Sequence, residues 1–65
     1  MTVAETVNSL DYKHRTYLHN RRQVYLKTTK KDDVKGEIRG YLRGLVNCGV
    51  IFEPDFRKLL TFYTI

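Results

Sequence analysis

The chain has one cysteine, one proline, one methionine and no tryptophan among its 65 residues. With Cys48 alone, no intramolecular disulfide can form, which excludes a secreted miniprotein stapled by disulfides. Long apolar runs are missing too. The longest uncharged stretch, Gly44 to Phe52, falls far short of the ~20 residues that a membrane-spanning helix needs. Glu5 and Asn8 interrupt the opening segment, so it has no basic start followed by an apolar stretch, as a secretory signal would. These absences together predict a protein of the reducing cytoplasm with no membrane partner. Acid is scarce in one region. From Lys13 to Lys31 there are seven Lys/Arg and two His but no Asp or Glu.

What remains is enough to fold. Apolar residues make up 42% of the chain, against a formal charge of +5 from twelve Lys+Arg and seven Asp+Glu. That balance is unlike a disordered tail. The length is under half of the roughly 150 residues of an ordinary domain, which predicts one small domain, 1–65, with a thin core. Such a chain has little room for both a scaffold and an enclosed catalytic pocket, and it carries no recognisable catalytic motif. The sequence therefore points to binding and not to an enzyme.

Periodicity predicts an all-α fold, a small three-helix bundle in which a long basic first helix is followed by an αα-hairpin. The first helix would span about Ala4 to Lys27, with Val3, Val7, Leu10, Tyr17, Leu18, Val24 and Tyr25 at helical spacing. The β-formers of Val24 to Thr29 offer a short strand as the alternative. Thr28 to Lys31 reads as a connection, with Asp32 or Asp33 capping the second helix. Val34, Ile38, Tyr41, Leu42 and Leu45 then form one apolar stripe, ended by Gly49 in the left-handed position after the helix. Pro54 suits the first turn of a third helix, whose stripe is Phe56, Leu59, Leu60 and Tyr63. Leu60 to Ile65 is β-branched and aromatic enough to finish as a strand instead.

Three features carry functional signal. Gly36, Gly40 and Gly44 recur every four residues and share one narrow arc of the second helix, opposite its apolar stripe. Each costs about 1 kcal/mol against alanine in a helix interior, so something should offset the penalty. Close packing against the first helix, a self-association face, or close approach to a partner would all do so. Beside them, Lys35, Arg39 and Arg43 form a basic ridge able to track phosphates, or simply a solvated face. Third, the acid-free segment interleaves its charges with Tyr12, Tyr17 and Tyr25, the combination that nucleic-acid surfaces use for phosphates and for stacking on unpaired bases. On a wheel these charges spread around the helix, and only Arg15, His19, Arg22 and Leu26 share one side.

Other chemistry fits poorly. A helix-turn-helix would want an apolar residue six positions after Gly49, where Asp55 stands. His14 and His19 are five apart and so on different helix faces, without the i, i+4 spacing of paired metal ligands. Cys48, at the edge of an apolar face with no histidine nearby, reads as a buried structural thiol.

Within Gly40 to Leu60, the residues Leu42, Leu45, Gly49, Ile51, Asp55, Phe56 and Leu59-Leu60 follow a pattern of paired leucines, a turn glycine, an acid and a final Phe and Leu-Leu. This third of the chain resembles the SHOCT-type short C-terminal domain, which implies a hairpin and no activity. The whole chain also resembles small accessory proteins of temperate phages of Gram-positive bacteria, which implies a non-enzymatic protein that modulates host or phage machinery by binding.

The expectation is thus a cofactor-free, basic accessory protein that binds nucleic acid, with Arg15, Arg22, Lys35, Arg39 and Arg43 on phosphates and Tyr17 or Tyr25 packing or stacking. Its alternative is a protein-interaction or homodimerising module whose Gly36/Gly40/Gly44 face accepts a helix of a host or phage protein or of a second copy.

Overall fold

The computed structural model describes residues 2–65, which fold into four helices: α1 (Val3–Ser9), α2 (Tyr12–Lys27), α3 (Lys31–Asn47) and α4 (Glu53–Tyr63). The all-α class holds, and no strand occurs among the described residues. Two of the expected three helices, α3 and α4, form the hairpin. The long first helix is instead two helices.

The break falls at Leu10 and Asp11, which are both extended, with ψ of 147° and 148°. The Ser9 side chain competes for the backbone of the last turn of α1, and the Asp11 side chain makes no capping bond to α2. Ser9 Oγ donates to the Thr6 carbonyl at 2.7 Å, and the Asp11 carbonyl accepts the first amides of α2, from His14 and Arg15. The turn drives Leu10 into the core and lets α1 fold back onto α4, with Thr6 buried beneath it. At the other end of α1, Thr2 and Glu5 form a reciprocal capping box: the Thr2 amide donates to Glu5 Oε1 at 2.9 Å, and the Glu5 amide to Thr2 Oγ1 at 3.2 Å.

Asp32 and Asp33 do not cap α3. Its first helical residue is Lys31, so the cap position falls on Lys30, whose amide is held by Thr28 Oγ1 at 3.0 Å. The two acids lie in the first turn, where the helix dipole favours negative charge. The segment Val24 to Lys27 stays helical, with Thr28 the extended residue after it.

The hairpin follows the sequence closely. Gly49 has φ +76°; its amide donates to the Val46 carbonyl at 3.0 Å, and the Val50 amide to that of Leu45 at 2.9 Å. This pair of bonds is a Schellman ending, and it needs the left-handed residue that glycine supplies without strain. Pro54 stands in the first turn of α4, where its missing N–H leaves nothing unpaired. Leu59 and Tyr63, four apart and both buried, keep the C-terminal segment helical as far as Tyr63.

Core and periphery differ by helix. Ile38 and Leu42 of α3, Leu59 of α4 and Leu18 of α2 are fully buried. Leu18 is the single buried side chain of α2, so the α2–α3 interface is completed by rings and polar groups. Tyr17 stacks on Tyr41 at 4.1 Å, the Tyr41 hydroxyl hydrogen-bonds His14 Nδ1 at 2.6 Å, and Arg21 pairs with Glu37 at 2.9 Å. Cys48 is exposed, not buried as its neighbours led us to expect, because it lies at the C-cap beyond the last buried turn of α3. Among the described residues, no helix is long and apolar enough to cross a membrane.

Candidate functional site

Arg15, His19 and Arg22 lie at i, i+4 and i+7 on α2 and so share one face, beside the edge that Leu18 buries. Arg15 and Arg22 are half-buried on that face, and His19 is exposed. With Tyr12 and Thr16 the face forms one wall of an open cleft of about 590 Å³, whose other walls are Phe62 and Tyr63 of α4 and Val7 of α1. The break at Leu10 and Asp11 creates the cleft, because a continuous first helix could not have turned Val7 back toward α4. Half of the lining is apolar or aromatic, the rest donates hydrogen bonds, and no Asp or Glu lines it.

Arg22 is held in place from below. The Arg22 guanidinium stands over the Phe62 ring at 5.1 Å, a cation–π contact that fixes its plane, and Phe62 meets Tyr63 edge-on at 5.0 Å. Arg15 Nε and Arg22 Nε are both buried without a hydrogen-bond partner. A buried donor left unsatisfied costs about 1–3 kcal/mol, and both belong to side chains that line this cleft. Burial pushes the Tyr63 phenol above its ordinary value, opposed by the charges of Arg15 and Arg22. Both guanidinium groups therefore act on the same phenol, which stays protonated at neutral pH and can itself donate. Two cations, a hydroxyl on Thr16 and a phenol thus line one open hollow without an Asp or Glu, a lining rich in hydrogen-bond donors.

The structure thus brings together Arg15 and Arg22 from the sequence-derived set. It does not bring Lys35, Arg39 and Arg43 to them, since none of the α3 cations lines the cleft. Lys35 and Arg39 are exposed along α3. Arg43 is engaged internally, pairing with Glu53 at 2.7 Å and lying over the Phe56 ring at 4.1 Å, so it clamps the start of α4 to α3. Tyr17 has one face covered by Tyr41, and Tyr25 lies under Lys31, whose Nζ is 4.7 Å from the ring and donates to the Tyr25 carbonyl. The uncommitted ring beside the cleft is Tyr12, 75% exposed. Sequence reading noted Tyr12 among the interleaved tyrosines and Tyr63 in an apolar stripe but assigned neither to the site, and it passed over Thr16, although the shared face of Arg15, His19 and Arg22 already pointed to this side of α2.

The glycines of α3 are not packed against the rest of the chain. A Cβ added at Gly36, Gly40 or Gly44 would meet nothing within 4 Å, which overturns the reading of close packing against the first helix. Packing within the hairpin and against α2 runs through the opposite arc, Val34, Ile38, Leu42 and Leu45. Among the described residues, no group of three or more His, Cys, Asp or Glu is placed to hold a metal ion. Comparison with protein-family models, curated proteins and solved structures gives no match to this chain.

Proposed function

We propose that this protein is a non-enzymatic accessory protein that binds nucleic acid, with Arg15 and Arg22 of the α1/α2/α4 cleft as its principal phosphate contacts. The observation that carries the reading is an open cleft lined by Arg15, His19 and Arg22 with no Asp or Glu among its lining residues. Tyr12, at the mouth, is the ring available for a base, and the exposed Lys35 and Arg39 add charge on α3. A net charge of +5 steers any polyanion toward this surface.

Fluorescence anisotropy of labelled duplex and single-stranded DNA, over a salt series, tests it. Affinity should weaken steeply with salt, and Arg22→Gln should flatten the log–log slope by about 0.7 for a single strand, one released phosphate contact. Arg43→Gln should change it less, because Glu53 already holds that side chain. Absence of binding at low salt would refute the reading.

A second reading rests on the open glycine arc of α3. Gly36, Gly40 and Gly44 leave room for another helix to approach its backbone, and nothing among the described residues fills that room. The partner would be a host or phage protein or a second copy. Light scattering of wild type and Gly40→Leu separates the two: a change of mass on substitution, with DNA binding intact, would favour the glycine face.

A further inference from the structure

We infer that the nucleic acid taken by this cleft is an unpaired strand, laid along the face of α2 from Tyr12 to Arg22 with a base stacked on the Tyr12 ring; this rests on the nucleic-acid reading above. Tyr12, Arg15, His19 and Arg22 share one side of α2 and line the same open cleft, so rings and cations alternate over about 15 Å of helix. Tyr12 is the member of this row that the fold leaves free. Its ring is 75% exposed, and no other ring or cation among the described residues lies on it, whereas Phe62 carries the Arg22 guanidinium and Tyr63 meets Phe62 edge-on. A base can use such a ring only when its own face is free. In a duplex the faces are stacked on one another, and in an unpaired strand each is available. Shape argues the same way. A major groove about 12 Å wide admits one helix, itself about 10–12 Å across with its side chains. Beside its basic face α2 has Val7 of α1 and Phe62 and Tyr63 of α4, so it cannot enter such a groove alone. A duplex would meet this surface with its outer phosphates only and leave the Tyr12 ring unused.

The experiment compares a short single strand, made as DNA and as RNA, with the duplex of the same DNA sequence and with an abasic DNA strand carrying as many phosphates. Binding to wild type, Tyr12→Phe and Tyr12→Ala is measured by competition anisotropy at one salt concentration, with helical content checked by circular dichroism. Charge alone favours the duplex, whose phosphates are more densely spaced, so a preference for the single strand reports the ring. The single strand should bind on the order of tenfold more tightly than the duplex or the abasic strand. Tyr12→Ala should weaken it roughly 5- to 150-fold, the worth of one base–ring stack, and Tyr12→Phe should leave it within about twofold. Duplex binding should not move with either variant, and the sugar that binds more tightly identifies the source of the strand. A duplex bound as tightly as the single strand, or an abasic strand bound as tightly as an intact one, would overturn the inference and leave the nucleic-acid reading standing; neither comparison needs a variant to fold. Unchanged single-strand affinity in Tyr12→Ala would overturn it too. Failure of every form to bind would overturn both.

Discussion

The two halves of the molecule are built by different rules. In the α3/α4 half, Val34, Ile38, Leu42, Leu45, Phe56, Leu59 and Tyr63 make one continuous apolar seam, ended by Gly49 and restarted at Pro54. In the α1/α2 half, one leucine of α2 is buried, and the contacts are a tyrosine stack, a histidine–tyrosine hydrogen bond, an exposed ion pair and two arginines over a cleft. The difference separates stability from chemistry. Apolar burial, at roughly 25 cal/mol per Å², carries the hairpin, whereas polar and charged groups, each worth little or nothing net, are left on α2 to meet something else.

The sharpest way to break this contrast is to cut into the seam. Leu42→Ala should cost about 2–5 kcal/mol, a large share of the stability of a small domain, and urea unfolding followed by circular dichroism should show it. Breaking the α2–α3 ion pair with Glu37→Gln in the same assay should change stability by under about 1 kcal/mol, because both partners are substantially exposed. Comparable losses would mean that the α2 contacts carry the fold as well.

A second test works in the opposite direction. Gly36→Ala and Gly40→Ala add a methyl group into open space on a helix, so each should stabilise by roughly 0.5–1 kcal/mol. Thermal unfolding should shift upward by about 4–8 °C per kcal/mol in a domain of this size. No gain would show that the glycine face is already covered in solution.

The smallest effect is expected at alkaline pH. Tyr63 is neutral in the fold and its folded value is raised, so its contribution to stability is present below the unfolded value of about 10 and is lost as pH rises from there through the folded value. Tyr63→Phe should flatten that part of the stability profile, measured by chemical unfolding across the range, and a profile unchanged by the substitution would remove the phenol from the cleft's electrostatics.

The hairpin was legible in the sequence because its signals agree: a 3.6-residue stripe, a glycine at the stop and a proline at the start all place the same boundaries. The α1–α2 break was not, because Leu10 fits the apolar period of a continuous helix and the competing signal, Ser9 and Asp11, is made of single short polar residues. Nor were the cap at Lys30 and the exposure of Cys48, which depend on where a helix begins or ends by one residue. For the site, wheel geometry found the shared face of Arg15, His19 and Arg22 but gave it no second wall, since that wall comes from α1 and α4, distant in sequence. Tyr17 and Tyr25 looked available because nothing in a one-dimensional pattern shows Tyr41 or Lys31 lying on them.

Helix α1 is seven residues long, well below the length at which an isolated helix holds its shape in water. It persists through its Thr2–Glu5 box, through Leu10 and through docking on α4. Elements with least support of their own open most readily, so amide hydrogens of α1 are expected to exchange faster than those of the α3/α4 hairpin. The wall that carries Val7 is thus held by docking and by the Leu10 anchor, and not by the helix itself.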